Sequence, residues 1–401
     1  MRILIYSHAF APQIGGVETY VMLLARGLAS RKAIPPVQVT VATLTPKGAF
    51  DDSTLPFRVV RRPGFFRLAG LIRNADVIQL AGPLFSAMFL SWFMRKTVVV
   101  AHHGYPPICP NGLLFYEPAQ AVCPGHFRAR RYRECLRCNA VTVGWLKSLS
   151  MLLFTFPRRR LSKKVAANVS VSTHLLARLE LPRSQVIYTG IADASLDGQP
   201  QRGSHPPGSP LIFAYLGRLV TLKGLSLILH AAERLQDERF NFRVKFIGDG
   251  PELAQLKSLA AKLGLSERVE FTGFLSGAAL DAAMNEIAVV LMPSIWEETA
   301  GLSAIEQMMR GRLVIGSDIG GLGEVVGDAG LRFPPGDAEA LARCMKSVLD
   351  HPGEIARLGV AARRRALQLF SEQRMVDEYL EVYKRVAQPA SAPAGKARLS
   401  L

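Results

Sequence analysis

Carboxylates and glycines are grouped after an apolar stretch in the second half of the chain. Glu298 and Glu306 enclose Gly301 and Leu302, and the apolar residues 288–292 precede them. If that stretch is a strand, Glu298 lies in the following loop and Glu306 on the second turn of the next helix. Gly301 would let the backbone approach a ligand, and the helix N-terminus would offer free N–H groups to a phosphate. A carboxylate beside an anion is useful when it binds hydroxyl groups, so the segment favours a phosphorylated sugar or ribose.

Two cations follow another apolar stretch, at residues 211–216. Gly217, Arg218 and Lys223 come after it, and Gly248 ends the next apolar stretch in the same way. Arg binds phosphate oxygens with a forked guanidinium, and Lys acts as a compact point charge. Each feature alone is consistent with solvated charges or an ordinary turn. Because the carboxyl ends of parallel strands share one edge of a sheet, the features together predict a diphosphate site.

Glycines and histidines mark two further predicted strand ends in the first half. Gly15 and Gly16 follow the first apolar stretch, a position that suits close approach to a phosphate or a sugar. A tight turn without a ligand explains them equally well. His102 and His103 end the stretch at 97–101. One of these imidazoles is expected to face a cleft and the other to be hydrogen bonded within the fold.

Short apolar stretches alternate with amphipathic helical patterns along both halves. Strands are predicted at residues 2–8, 37–43, 57–61, 76–80, 97–101, 168–172, 185–188, 211–216, 243–247, 269–272, 288–292 and 313–315. Helices are predicted at residues 17–29, 222–235, 252–263, 277–285, 302–310, 338–349, 352–369 and 372–386. Such alternation is typical of parallel sheets covered by helices on both faces. An α/β fold with two doubly wound, Rossmann-like domains facing a central cleft is therefore expected.

Length and composition exclude several classes of protein. The chain has 401 residues, 49% hydrophobic and 20% charged, which excludes a disordered chain, a collagen-like repeat and a disulfide-rich miniprotein. No apolar run reaches the ~18 residues of a membrane span, and the first residues lack the features of a signal peptide. A cytoplasmic protein with reduced or metal-bound cysteines is expected. The Pro- and Gly-rich segment 193–210 is the predicted linker, and the Ala- and Pro-rich residues 389–401 are predicted to form a disordered tail.

These motifs, in this order, resemble those of the retaining glycosyltransferases of family 4. The resemblance runs from Met1 to about Arg385 and is carried by Gly217–Gly224, Phe246–Pro251, Pro293–Glu306 and Ile319–Val326. It implies the GT-B architecture of two Rossmann-like domains. The acceptor-binding domain would comprise residues 1–195, the donor-binding domain residues 196–371, and a helix at 372–388 would cross back to the first domain.

The resemblance implies that the second domain binds a nucleotide-diphosphate sugar, with UDP or GDP as the nucleotide. Glu298 would contact sugar hydroxyls and Glu306 would hold the ribose. Arg218 and Lys223, with a helix N-terminus, would neutralise the leaving diphosphate, so that catalysis requires no metal cofactor. The further donor contacts expected are Gly15, Gly16, Gly217, Gly248, Gly301 and Leu302.

The resemblance also implies transfer to an acceptor hydroxyl with retention of the anomeric configuration. No carboxylate is placed as a covalent nucleophile, so the acceptor would attack from the face that the diphosphate leaves. His103, rather than His102, would contact the donor sugar and would act with Glu298, Arg218 and Lys223 in catalysis. The expected pathway is the synthesis of a cell-surface polysaccharide or glycolipid. A GT-B epimerase or phosphorylase, which needs no acceptor, is the alternative enzyme.

Four cysteines lie in a segment, residues 105–140, that interrupts the alternating pattern. They are Cys109, Cys123, Cys135 and Cys138, and some family 4 members carry a similar insertion at this place. Four cysteines so close together in a reducing compartment predict a structural Zn²⁺ site. Four reduced thiols are the alternative, because only the spacing of the last two is informative.

Positive charge is concentrated in the first half of the chain. Residues 1–200 hold 25 Lys and Arg against 9 Asp and Glu, whereas residues 201–401 hold 24 against 23. The apolar run 145–157 precedes three arginines at 158–160, a combination that suits shallow insertion at an anionic membrane surface. An ordinary helix packed on the sheet is the alternative. The expected acceptor is a polysaccharide or a lipid-linked molecule. The expected location is the cytoplasm, with a peripheral position on the inner face of the cytoplasmic membrane.

A basic, zinc-containing nucleic-acid-binding protein is the alternative of another class. The basic half shows no recognition-helix or aromatic-platform motif, and this alternative leaves the second half without a role. No nucleic-acid partner is therefore expected.

Overall fold

The computed structural model describes residues 1–13, 15–31, 36–48, 50–193, 209–236 and 240–387. Most of the predicted linker, and all of the predicted tail, lie outside these ranges. The predicted domain boundary at residue 195 lies there as well, so the boundaries remain predictions.

The described residues of the first half include nine strands, and seven of them form one parallel sheet. They are β1 (Arg2–Ser7), β2 (Gln38–Thr43), β3 (Arg58–Arg61), β4 (Val77–Leu80), β5 (Val98–His102), β6 (Phe115–Tyr116), β7 (Ala121–Val122), β8 (Ala167–Ser170) and β9 (Ser184–Val186). The sheet order is β3-β2-β1-β4-β5-β8-β9, and β6 and β7 form a separate antiparallel pair. The strand order reverses at β1, because β2 and β3 follow on one side of it and β4 and β5 on the other. In such sheets ligands bind beside the reversal, so they are expected at the carboxyl ends of β1, β4 and β5.

Helices cover both faces of this sheet. They are α1 (Gly16–Ala29), α2 (Phe65–Asn74), α3 (Phe85–Phe93), α4 (Tyr132–Val143), α5 (Trp145–Ser162) and α6 (Thr173–Leu179). One face packs Leu68 of α2, Met88 of α3 and Leu161 of α5 against Leu4 and Val100 of the strands. The other face packs α1 against β1 and β2.

The second half repeats this plan with six parallel strands. They are β10 (Leu211–Leu216), β11 (Phe242–Ile247), β12 (Val269–Gly273), β13 (Val289–Met292), β14 (Leu313–Ser317) and β15 (Leu331–Phe333), in the order β12-β11-β10-β13-β14-β15. The helices are α7 (Ser226–Glu233), α8 (Leu253–Lys262), α9 (Gly277–Asn285), α10 (Leu302–Met309), α11 (Gly320–Val326), α12 (Ala338–Asp350) and α13 (Gly353–Leu369). Aromatic and aliphatic side chains of β10 and β11 fill one core cluster with α7, α8 and α12.

The last described helix, α14 (Glu372–Ala387), returns to the first sheet. Its buried Tyr379 packs beside Tyr20 of α1, with ring centroids 5.7 Å apart. The Tyr383 hydroxyl donates to Gln79 Oε1 of β4 at 3.0 Å, inside the core. These contacts confirm the predicted α/β fold of two doubly wound domains with a helix that crosses back. None of the helices in the described ranges is long and apolar enough to span a membrane.

Some elements differ from the sequence-based expectation. The helix expected from residue 222 begins at Ser226, because Thr221–Lys223 form a 3-10 turn before it. The helices α2, α3, α6 and α11 and the strand β15 were not predicted. For α11 the reason is the Gly-rich stretch at 320–323, which gives no helical pattern. The cysteine-containing segment is also more regular than expected, because it includes β6, β7 and the helix α4.

Candidate active site

Glu298 lies in the loop after β13, where its carboxylate is buried. Lys223 Nζ lies 2.7 Å from Glu298 Oε1, and the Ser294 hydroxyl donates to the same oxygen. The backbone N–H of Gly321, at the start of α11, donates to the Glu298 carbonyl at 2.5 Å. The carboxylate predicted to contact the sugar and the cation predicted to contact the diphosphate are therefore direct neighbours. The sequence did not indicate the contribution of Ser294.

Glu306 lies on the second turn of α10, as predicted, and Gly301 directly precedes this helix. Burial raises the pKa of Glu306, and Arg310 only partly offsets this effect. The side chain lines a cavity of about 200 Å³ whose wall includes Leu216 at the end of β10. Glu306 and Arg218 therefore line two cavities that share Leu216 in their walls.

A second cavity, of about 440 Å³, lies where β10 and β11 end. Its wall includes Leu216, Gly217, Arg218 and Gly248, with the exposed ring of Phe274 at its rim. Gly217 and Gly248 both have positive φ angles, and a Cβ atom on Gly248 would lie 1.9 Å from the Gly217 carbonyl oxygen. Only glycine permits this backbone approach, which leaves room for a ligand beside the predicted phosphate-binding arginine.

His103 follows β5, and its side chain packs against Tyr20 with ring centroids 4.4 Å apart. Its Nε2 atom is buried and has no hydrogen-bond partner among the described residues. Burial, with smaller effects from His102 and His8, lowers the pKa of His103 to about 3, so the imidazole is neutral. His102 is different, because its Nε2 lies 2.8 Å from Asn168 Oδ1 inside the sheet. Among the described residues, each histidine thus has one buried nitrogen without a partner, Nδ1 of His102 and Nε2 of His103, and only the His102 ring is anchored by a side chain of the sheet.

Gly16 brings the first domain close to α10 of the second. A Cβ atom at Gly16 would lie 2.9 Å from Cδ1 of Leu302, the first residue of α10. The predicted glycine loop, with Gly15 beside Gly16, thus lies against the segment that carries the two glutamates. The Thr299 hydroxyl adds a second contact by donating to the carbonyl of His103 at 3.1 Å.

An interdomain group next to Glu298 was not predicted. Arg178 of α6 donates from Nε to Glu297 Oε2 at 2.9 Å, and from a second nitrogen to Oε1. His174 Nε2 lies 3.2 Å from the same carboxylate, and the Tyr105 hydroxyl donates to the Glu297 carbonyl at 3.0 Å. Burial alone would raise the pKa of Glu297, but these partners outweigh it and lower the pKa. No local sequence signal pairs residues so far apart in the chain.

A second carboxylate of the second domain also holds α6. Glu324 of α11 accepts hydrogen bonds from the backbone N–H groups of Thr173 and His174, at 3.0 and 3.1 Å. The hydroxyl of Tyr188 donates to it as well. Carboxylates are stabilising at a helix N-terminus, so α6 is fixed to the second domain at its first turn as well as through Arg178.

The four clustered cysteines do not support the predicted zinc site. Cys109 and Cys123 pack in one hydrophobic cluster, whereas Cys135, on α4, packs in another. The Cys109 thiol donates to Asn111 Oδ1 at 2.9 Å, and burial raises its pKa to about 11 and that of Cys135 to about 12. The Cys138 thiol donates to a backbone carbonyl. In the described part of the chain, no three His, Cys, Asp or Glu side chains form a metal-binding group.

A larger cavity, of about 570 Å³, lies between α1 and α14 and shares Ile191, Ala192 and Met309 with the wall of the Glu306 cavity. It includes Arg26, Ser30 and Glu372 but none of the residues predicted to bind a donor. The candidate active site is therefore the region between His103 and the cavities beside Arg218 and Glu306.

Two family models match the chain. The Glycosyltransferase Family 4 model matches residues 14–194, and the Glycosyl transferases group 1 model matches residues 199–365. The 2-deoxystreptamine N-acetyl-D-glucosaminyltransferase of Streptomyces fradiae is 31% identical over 82% of this chain and 81% of its own length. The O-antigen chain mannosyltransferase C of Escherichia coli is 24% identical over 98% of this chain and 100% of its own length. For two other curated relatives, the chain spans 38% and 43% of their length.

Solved structures share the arrangement of the two domains. The structure of HepE from Anabaena in complex with UDP superposes with a TM-score of 0.71 at 18% identity, covering 96% of this chain and 100% of HepE. This likeness confirms the GT-B fold.

Proposed function

Because this chain belongs to glycosyltransferase family 4 and is a glycosyltransferase of the GT-B type, we propose that it transfers a sugar from a nucleotide-diphosphate sugar to an acceptor hydroxyl with retention of the anomeric configuration. One observation carries the proposal. The buried carboxylate of Glu298 lies 2.7 Å from Lys223 Nζ, and the next residue is hydrogen bonded to His103 of the other domain. Groups suited to a sugar and to a diphosphate thus meet at the domain interface.

The donor occupies the second domain. Its diphosphate lies beside Arg218 and Lys223, where the glycines Gly217 and Gly248 leave the strand ends open, and Glu306 binds the ribose hydroxyls. UDP or GDP is the nucleotide, and the HepE complex with UDP supports a uridine nucleotide. The sugar extends towards the first domain, where Glu298 accepts hydrogen bonds from its hydroxyls and His103 Nε2 contacts it.

The transfer breaks the bond between the anomeric carbon and the diphosphate oxygen. The acceptor oxygen forms its bond on the face that the diphosphate leaves, and the acceptor proton moves to a phosphate oxygen, so the configuration is retained. Arg218 and Lys223 stabilise the charge that develops on the leaving group. His103 is neutral, so it acts as a hydrogen-bonding group and not as a cation.

Because two protein cations accompany the diphosphate, we expect transfer to proceed without an added divalent metal. Turnover after treatment with EDTA tests this point. A strict requirement for Mg²⁺ or Mn²⁺ would contradict it.

The acceptor is a polysaccharide or a lipid-linked glycan bound by the first domain. The full-length match to an O-antigen chain mannosyltransferase supports synthesis of a cell-surface polysaccharide or glycolipid. A lipid-linked acceptor would place the protein at the inner face of the cytoplasmic membrane.

The decisive experiment compares the parent with Glu298→Gln. Stabilisation by UDP- and GDP-sugars identifies the donor, and transfer to candidate acceptors is then followed by NMR at the anomeric proton. We expect a retained product from the parent, transfer slower by roughly a hundredfold or more from Glu298→Gln, and parent-like transfer by Glu339→Gln, whose exposed carboxylate pairs with Arg343 on α12. An inverted product, or donor turnover that needs no acceptor, would overturn the proposal.

A further inference from the structure

Three helices on one face of the first domain carry no carboxylate. The helices α2, α3 and α5 contain neither Asp nor Glu, although α2 and α5 include several Arg and Lys residues. Their buried side chains pack on the same face of the sheet, so the three helices lie in one layer, in which α3 contacts α5 directly. The charged side chains of these three helices are therefore all basic.

The same layer exposes an unusual amount of aromatic surface. Of the sixteen large hydrophobic side chains that are exposed in the described chain, eleven lie on α2, α3 and α5. On α3, Phe89 stacks on Phe85 with centroids 6.0 Å apart and lies 6.0 Å from Trp92. Phe85 also contacts Phe154 of α5, which joins the two helices. Exposed aromatic side chains that contact one another in such a ridge are typical of an interaction site.

A cavity of about 340 Å³ opens beside this ridge, where α3 and α5 end. Its wall includes Trp92, Arg95, Lys96 and Lys164, and Lys164 Nζ lies 4.7 Å from the centre of the Trp92 ring. Lys96 is held by backbone carbonyls. Arg95 and Lys164 are exposed and form no ion pair within the described ranges, so both can contact an anion.

Charge decides between the possible partners. A second copy of the chain would bring two positive layers together, which is unfavourable, and an uncharged apolar partner would leave the cations unused. An anionic bilayer satisfies both features, because aromatic side chains enter the interface while Lys and Arg contact lipid phosphates.

We infer that the outer face of α3 and α5 binds an anionic phospholipid bilayer, and that the cavity between Trp92, Arg95 and Lys164 receives a lipid phosphate. The inference rests on the proposed function in that a lipid-linked acceptor would lie in the same bilayer. The sequence indicated only the apolar run 145–157 as a membrane-binding segment. The surface inferred from the structure also includes α3.

Flotation with vesicles of phosphatidylcholine, with and without phosphatidylglycerol, tests the inference on the full chain. The parent should float only with the anionic vesicles. Arg95→Glu with Lys164→Glu, and separately Phe93→Ser with Leu153→Ser, should reduce the bound fraction about tenfold or more. The matched controls are Lys262→Glu on α8 and Val360→Ser on α13, both exposed in the second domain and expected to float like the parent.

Parent protein that stays at the bottom of the gradient, or variants that float like the parent, would overturn the inference. Dimerisation through this face without vesicles would do the same. Transfer to a water-soluble acceptor is measured in parallel. A parent that transfers sugar but does not float contradicts this inference alone, whereas a parent that floats but turns over no donor contradicts only the proposed function.

Discussion

Arg178 of the first domain donates two hydrogen bonds to Glu297, the residue that directly precedes Glu298 in the second domain. The Glu297 carboxylate is buried, and its own carbonyl accepts a hydrogen bond from Tyr105. Because these contacts cross the domain interface, the position of Glu298 depends on how the two domains meet. Arg178 is therefore a positioning residue.

We predict that Arg178→Ala lowers kcat by roughly tenfold to a hundredfold, because a shift of about 1 Å at a reacting group has such an effect. Donor binding, measured by thermal shift, should change little, since Arg178 does not border the cavity beside Arg218 that we propose for the donor. Arg178→Lys should recover only part of the rate, because Lys cannot form the paired contact. Arg343→Ala removes an exposed pair on α12 and serves as the control. A rise in KM for the donor without a change in kcat would contradict this role.

Glu298 and Lys223 should behave as a unit. We predict that Glu298→Gln and Lys223→Gln each lower the transfer rate by roughly a hundredfold to a thousandfold, because each removes charge aimed at the reacting centre. Because the two groups lie 2.7 Å apart, the double variant should be much less impaired than the product of the single effects. Single-turnover rates of the parent, the two single variants and the double variant measure this coupling. Independent effects would show that the pair separates during the reaction.

The sequence predicted one half of this site better than the other. Glu298, Lys223 and Gly248 all follow strands of one parallel sheet, and the rule that such strands end at one edge brings them together. No such rule applies to Arg178 and Glu324, because the residues that they contact across the domain interface depend on the angle between the two sheets. The hydrophobic periodicity that predicted most helices also missed α11, whose glycines support the Glu298 loop through the backbone.

The cysteine segment shows the limit of spacing as a guide. The spacing of Cys135 and Cys138 is common to zinc sites and to one turn of a helix, and here both lie on α4. The two interpretations are separated by how the side chains pack, since among the described residues no three His, Cys, Asp or Glu side chains form a metal-binding group. The sequence contains no measure of that packing.

Stability should increase between acidic and neutral pH. Burial lowers the pKa of His102 to about 4 and that of His103 to about 3, from an unfolded value of 6.5. At a pH between the folded and the unfolded pKa values, the unfolded chain binds more protons than the folded chain. The free energy of unfolding therefore rises with pH over this range and levels off above about 6.5. His103→Gln should remove roughly half of this slope, and exposed Val360→Ser should leave it unchanged. Urea unfolding at pH 5 and pH 7 measures the difference, and an equal slope in His103→Gln would contradict the assignment.

The backbone approach between Gly217 and Gly248 should control donor affinity. A Cβ atom at residue 248 would meet the Gly217 carbonyl at 1.9 Å, and the φ angle of Gly248 is +144°, so Gly248→Ala must displace one strand end. Because Arg218 follows Gly217 directly, this displacement moves the predicted phosphate-binding group. We predict at least a tenfold rise in KM for the nucleotide sugar. Gly70→Ala is the control, because it lies within α2 with nothing within 4 Å of the new atom, and alanine favours a helix by roughly 1 kcal/mol over glycine. If Gly248→Ala does not fold, hydrogen exchange of the parent is measured with and without UDP. A loop at 217–223 that gains no protection when UDP is added would place the donor elsewhere.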